Sequence, residues 1–373
     1  MDPVTSPGAE RPRSYCDPPV TTAFELEGSV IADDDPEGDW TAPGVYRCAP
    51  DVYRVPLPLP NDGLRAVNVY VVADGDGWTV VDAGWALEEA RDLLADALAQ
   101  LGGGFPDVRR FLVTHVHRDH YTQAVVLRRE FGMKVALGAG ERPSLEAIMA
   151  PREPRNASRL LRAGAADLVR RLEAAPPQRP DPAHWEPPDE WLEDGAEIVV
   201  GEDPAGSRTL RAIATPGHTR GHVVFSDEAG GLLFAGDHVL PRITPSLGLE
   251  PMPSASPLAA FLASLELVRT LPDAVLLPAH GPSGMPVHRR VDELIAHHGK
   301  RLDATLAAVR EGRATAYEVA GVLPWTRRET RLADLDLFNA MLATMETAAH
   351  LDVLAERGLV TASEQDGIVH YTS

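Results

Sequence analysis

Cysteine is nearly missing: the 373-residue chain has two, Cys16 and Cys48. Two cysteines exclude a disulfide framework and any zinc finger built on thiolates. Also lacking is a run of about 18 or more apolar residues, so no segment reads as a membrane-spanning helix. The first residues, MDPVTSPGAERPRSYCDPP, hold no apolar core of the kind a secretory leader needs, and the cytoplasm is the expected location. Basic residues are scarce as well, 35 Lys and Arg against 55 Asp and Glu, giving a net charge of -20. Such a surface argues against nucleic acid as a partner, because affinity for phosphate backbones rests on Lys and Arg displacing counterions. What remains is ordinary globular chemistry, with 44% hydrophobic residues to fill a substantial core.

Residues 1–44 are rich in Pro, Gly and acid and show no sustained period, so they read as an irregular arm with one short strand at TTAFEL, residues 21–26. Regular structure is expected from Val45. AVNVYVVADGDGWTVVDAG has two β-branched runs around an Asp-Gly-Asp-Gly turn, a hairpin signal. ALEEARDLLADALAQLGG has apolar residues at helical spacing and a glycine stop. A strand (VRRFLVTH), a helix to about Phe131 and a strand (KVALGA) follow. Residues 141–195 read as helices broken by prolines, without clear strands. AEIVV, RTLRAIATPGH, GHVVFSD and GLLFAGD resume the strand pattern, followed by an amphipathic helix with Leu258, Phe261, Leu262 and Leu265 on one face and a buried strand, AVLLPAHG. Two β-rich halves with scattered helices predict an α/β fold of sheets covered by helices. From Val291 to the C-terminus the chain reads as helices and a final hairpin, which looks like a winged helix-turn-helix.

The segment VTHVHRDHYTQA concentrates metal-ligand side chains. His115 and His117 stand two apart at a strand end, so both can leave on one face. Asp119 and His120 follow in the turn entering a helix. Imidazole and carboxylate suit zinc, and also iron or manganese. A His-rich surface loop would look the same in isolation. Three further segments repeat the pattern of strand, small-residue turn and ligand: His218 in TPGHTRGH, Asp237 in FAGDH and His280 in LPAHG.

This ordered set resembles the metallo-β-lactamase superfamily from about Val45 to Gly281. The resemblance implies an αββα sandwich and a dinuclear metal-dependent hydrolase. One ion would be held by His115, His117 and His218, the other by Asp119, His120 and His280, with Asp237 bridging. It implies two zinc ions, with iron or manganese as alternatives, and attack of a metal-bridging hydroxide on the substrate. Asp119 would orient that hydroxide and carry a proton. Asp82, in VDAG, would orient ligands from behind. His238 is a candidate proton carrier or an ordinary structural histidine, and His222 a hydrogen-bonded support of the ligand loop.

True β-lactamases fit least well, since they are usually exported and usually lack the bridging aspartate. The full His/Asp set is closer to glyoxalase-II-like thioesterases, lactonases and the nuclease or phosphodiesterase branches. The expected substrate is a small molecule with an acyl bond, a thioester ahead of a lactone or ester. The rivals are a phosphodiesterase or endoribonuclease, an iron-dependent oxidoreductase and a non-enzymatic metal-binding protein. Family members often follow the Asp-His pair with a small residue and glycine; here Tyr121 and Thr122 follow, making Tyr121 a candidate pocket wall. The insertion at 141–195 carries Arg155, Arg159 and Arg162 on one helical face, either a solvated face or a grip on an anionic acyl thioester. The expected organisation is an arm (1–44), a catalytic domain (45–290) with its insertion, and a helical winged-helix-like domain (291–373). Self-association is compatible with all of this.

Overall fold

The structure, a computed structural model, describes residues 31–60, 63–150, 155–175, 181–201, 207–326 and 328–373. The strand expected at residues 21–26 lies outside the described residues, as do most of the arm and the side chain of Arg155.

The first sheet contains β1 (Ala32–Asp33), β2 (Tyr46–Ala49), β3 (Val52–Pro58), β4 (Ala66–Asp74), β5 (Gly77–Val81), β6 (Val108–Val113), β7 (Lys134–Gly138) and β8 (Glu190–Leu192), paired in chain order. From β2 to β5 the pairing is antiparallel, as hairpins permit; from β5 to β8 it is parallel, because helical crossovers intervene. The second sheet has the order β13 (Val275–Pro278), β12 (Leu232–Gly236), β11 (Val223–Asp227), β10 (Arg208–Ala214), β9 (Glu197–Val200). Helix α1 (Glu88–Gln100) and α2 (Arg118–Phe131) cover the first sheet; α6 (Pro257–Thr270) and α7 (Val287–Arg310) cover the second. Between β7 and β8 the insertion supplies α3 (Arg142–Met149), α4 (Arg155–Arg162) and α5 (Ala166–Ala174). After α7 come α8 (Ala316–Val322), α9 (Leu337–Glu356) and the hairpin of β14 (Thr361–Gln365) and β15 (Ile368–Thr372).

Side-chain alternation along the strands builds the layers. In β4, Val67, Val69 and Val71 point to the α1/α2 layer, while Tyr70 and Val72 point to the second sheet. There they meet β10–β12 residues, among them Leu210, Phe225 and Phe234. Tyr70 and Phe234 touch edge to face with centroids 5.5 Å apart. On the far side, Val224 and Leu233 face Phe261, Leu265 and Val268 of α6. The result is the αββα order expected from sequence.

Two sequence readings need correction. The segment 141–195 is not strandless: β8 pairs parallel to β7, and Leu192 is buried between the sheets. Three residues after Pro187-Pro188 are too few to show an alternating period. Regular structure also begins before Val45, at β1. There Asp34 forms an ion pair with the buried Arg54, 2.6 Å apart, and Arg54 also donates to Asn68 Oδ1 at 3.0 Å. Asn68 in turn donates to the Pro278 and Gly281 carbonyls that flank His280, at 3.0 and 2.9 Å.

Helix α9 shares the core of α6 and α7 rather than standing apart, with Met341, Met345, Leu351 and Leu354 buried in it. At this junction His298 and His350 stack, their rings 5.3 Å apart and Nδ1 of the first 3.2 Å from Nε2 of the second. Burial lowers both below the usual histidine pKa, to about 2 and about 4. Each is neutral in the folded state and takes up its proton on unfolding. Their contribution is therefore intact above the unfolded pKa and lost as pH falls below it. At pH 5 each should cost about 2 kcal/mol relative to pH 7. Urea titrations at pH 7 and 5 should show His350→Gln losing less stability on acidification than wild type; equal losses would refute this.

Candidate metal centre

The centre is assembled at strand ends. Chain leaves β5 into Asp82, β6 into His115 and His117, β10 toward His218, β12 into Asp237 and β13 toward His280. His117 caps the N-terminus of α2, so Asp119 and His120 occupy its first turn. Glycines allow close approach where two loops meet. A Cβ on Gly221 would lie 2.0 Å from the Glu141 nitrogen, and one on Gly138 2.4 Å from the Gly221 oxygen, so the His218 loop is locked against the end of β7. Gly236, at φ +48°, brings Asp237 past Thr114 and His222 with no room for a side chain.

All seven expected ligand residues come together in two groups, His115, His117, His218 and Asp237, and Asp119, His120 and His280, each within 4.8 Å. In the first group His115 Nε2 and His117 Nδ1 are 3.0 Å apart, His117 Nδ1 and His218 Nε2 3.0 Å, and His115 Nε2 and His218 Nε2 3.2 Å. Tetrahedral nitrogens around a zinc ion stand about 3.3 Å apart, so the spacing fits one ion. Asp237 reaches both groups: Oδ2 is 3.3 Å from His218 Nε2, and Oδ1 is 3.4 Å from His280 Nε2 and 3.8 Å from His120 Nε2. Asp119 Oδ2 lies 3.5 Å from His280 Nε2 and 3.7 Å from His120 Nε2.

The outer nitrogens fix the tautomers. His117 Nε2–H donates to the Leu249 carbonyl at 2.9 Å, His218 Nδ1–H to Ser246 at 2.6 Å, and His280 Nδ1–H to Ala66 at 2.8 Å. His120 Nδ1–H donates to Asp82 at 2.9 Å. Thr114 Oγ1 donates to Asp82 and accepts from His115 Nδ1–H at 3.0 Å. Each ring thus spends its hydrogen outward and aims a lone pair inward. His120 Nε2, His280 Nε2 and Asp237 Oδ1 are buried without a hydrogen-bond partner among the described residues. Orphaned lone pairs facing one another fit a divalent cation.

Electrostatics agree. Burial and neighbouring histidines push His218 down to about 4 and His115 well below its ordinary range. At His120 burial acts in the same direction, but Asp82, Asp119 and Asp237 outweigh it and raise the ring to about 10. The carboxylates around His120 call for positive charge, which a metal ion would supply.

His222 stacks on His115, centroids 5.1 Å apart, and its Nε2 accepts the Asp237 amide at 3.1 Å. It therefore supports the loop that carries Asp237. His238 stands outside both groups: its ring meets Phe261 edge-on at 5.2 Å, and neither nitrogen has a hydrogen-bond partner among the described residues. Tyr121 as a pocket wall is corrected: it is fully buried, stacked near Trp185, with its hydroxyl donating to Glu186 O at 2.6 Å. Arg162 pairs with Glu364 at 2.7 Å, and Arg159 donates to Gly248 O at 2.7 Å. Sequence reasoning missed Thr114, Glu141 and Glu250. Thr114 adjoins the cluster and could have been flagged; the carbonyls of Ser246 and Leu249 leave no residue-type signature.

A sandwich of this order with these donors at its strand ends defines a metal-dependent hydrolase. The family model of the metallo-beta-lactamase superfamily matches residues 62–280, and the chain belongs to that superfamily. It is similar to a metallo-beta-lactamase family protein from Thermus thermophilus, with a TM-score of 0.71, 31% identity, and coverage of 87% of this chain and 99% of that one. The probable metallo-hydrolase YqjP of Bacillus subtilis is 23% identical, with 86% of this chain and 97% of that protein covered. The atrochrysone carboxyl ACP thioesterase of Aspergillus fumigatus is also 23% identical; the match covers 72% of this chain and 49% of that protein.

Asp82 stands at φ +59°, a conformation asparagine tolerates as well. Asp82→Asn should keep the fold but weaken metal binding about 10-fold or more in chelator competition, by disturbing the His120 and Thr114 contacts. Wild-type affinity would show that these outer bonds do not set the ligands.

Proposed function

We propose that the chain hydrolyses an acyl bond of a small molecule, a thioester ahead of a lactone or ester, at a centre of two divalent ions, with zinc as the first choice. The observation that carries the two-ion reading is the division of Asp237, one oxygen toward each donor group. His115, His117 and His218 would hold one ion, Asp119, His120 and His280 the other, with Asp237 between. Bound divalent ions supply Lewis acidity and a water acidified toward neutrality. The thioester preference draws support from the carrier-protein thioesterase relative.

The chain's own residues have separable tasks. Asp119 keeps 16% side-chain accessibility, so it can meet both water and substrate. Its carboxylate orients the attacking water and takes a proton from it. Asp82 and Thr114 keep His120 and His115 in the tautomers that face inward. His238 has no hydrogen-bonded route to this point and is left out of the proton path. Residues 45–290 form the catalytic part in this reading, and 291–373 a winged-helix-like part that packs against it. A phosphodiesterase or endoribonuclease is the second reading, opposed by the net charge of -20.

The test is thiol release from a panel of acyl-coenzyme A and other acyl thioesters, with elemental analysis of the bound metal. Release should vanish with chelator and fall at least about 1,000-fold in His120→Ala. Fully metallated protein that releases no thiol would overturn the thioester reading and bring lactones, then phosphodiesters, forward. A single bound iron would point instead to oxidative chemistry.

A further inference from the structure

We infer that Arg159 and Glu250 are positioning residues: they fasten a strap, residues 246–250, whose main-chain carbonyls set His117 and His218. The insertion thereby governs one half of the metal centre. This rests on the metal-centre reading above, and the experiment separates the two.

The strap has neither helix nor strand, so no regular ladder holds its carbonyls in place. Yet two of them, Ser246 and Leu249, take the outer N–H groups of His218 and His117. Something else must fix them, and four tethers do. The Gly248 amide donates to the His218 carbonyl at 3.2 Å. Leu247 is buried in the core shared with α6. Arg159, from α4, donates Nη1 to the Gly248 carbonyl at 2.7 Å. Glu250, buried, accepts from the Arg220 amide at 2.5 Å and from the hydroxyl of Ser144 in α3.

Arg159 has no carboxylate within salt-bridge distance among the described residues, and it donates to the strap. A guanidinium used this way holds a carbonyl and is not simply half of a surface ion pair. Arg162, one turn on, differs: it pairs with exposed Glu364 of the hairpin. The two arginines therefore separate what a common grip on an anionic substrate would join. Gly248 completes the device. At φ +65° it turns the strap sharply, and a Cβ there would sit 3.0 Å from Pro257 Cγ and 3.4 Å from Arg159 Nη2.

The experiment titrates metal-stripped protein with Co2+, following the ligand-field absorption, and repeats the titration in competition with a chelator. Wild type should take up two equivalents. Arg159→Ala should weaken one of them about 10-fold or more and alter its absorption, leaving the other unchanged. Arg159→Lys should recover most of the loss, because one N–H still reaches the carbonyl. Arg162→Ala should match wild type. Glu250→Gln should weaken the same equivalent as Arg159→Ala and carries the test if that variant does not fold. Two wild-type equivalents in Arg159→Ala, with a raised KM for anionic substrates alone, would overturn the inference and make Arg159 a substrate contact. If wild type binds one equivalent, the two-ion reading fails on its own, and the inference then requires that single affinity to fall in Arg159→Ala and return in Arg159→Lys.

Discussion

Five imidazole nitrogens with lone pairs turned toward a common interior impose a cost that the rest of the chain is arranged to meet. Lone pairs about 3 Å apart repel, and a buried acceptor without a donor loses on the order of 1–3 kcal/mol. The arrangement persists because each ring's other nitrogen is held by an acceptor on a different element. Ala66 O belongs to β4, Asp82 follows β5, Thr114 follows β6, and the strap supplies two carbonyls. No single sheet offers all of these directions. His115, His117 and His120 follow a strand of the first sheet, and His218, Asp237 and His280 follow strands of the second, so the pairing of two sheets is itself a condition of the site. The Arg54–Asn68 chain shows the same dependence, since it runs from the N-terminal segment through β3 and β4 to the turn that presents His280.

Charge closes this account. Three carboxylates surround His120, and two of them also face the other histidines. Buried like charges are tolerated when a cation sits among them, and tens of kcal/mol of idealised solvation energy are at stake otherwise. A divalent ion therefore acts on folding as well as on chemistry: it binds the native arrangement and has no equivalent in the unfolded chain. The same carboxylates push His120 up, while burial and the neighbouring imidazoles push His115 and His218 down.

Much of this was legible in the sequence because ligands at strand ends carry their own punctuation. Thr-Pro-Gly-His, Ala-Gly-Asp and Pro-Ala-His-Gly each mark a strand, a tight turn and one polar side chain, and all three positions join the cluster. The sheets were legible for a related reason: β4 and β11, buried on both faces, read as nearly unbroken apolar runs bounded by turn residues. What escaped was either too short or made of main chain. β8 is three residues long. Tyr121 has the size and polarity of a pocket residue, and only its packing near Trp185 and its bond to Glu186 O show that it is core. The acceptors for His117 and His218 are carbonyls, which every residue type provides.

The strap and the glycine contact together explain how an insertion placed between two strands can bear on the metal centre. The chain leaves β7 at Gly138, where it is already locked against Gly221 of the His218 loop, and it returns to the same sheet at β8. Its ends are thus pinned, and its helices start from a fixed departure point. Glu141, just past that point, is fully buried and takes the Thr219 hydroxyl, with burial and Glu250 raising its pKa to about 8. Burial favours the neutral form of this carboxyl, the form that adds no charge behind the ligand loop. The ligand loop and the insertion consequently share one hydrogen-bonded wall, from Glu141 through Thr219 and Arg220 to Glu250 and Ser144. α3 bears on the His218 loop through that wall, and α4 bears on it through Arg159 and the strap, which makes the insertion a mechanical part of the site.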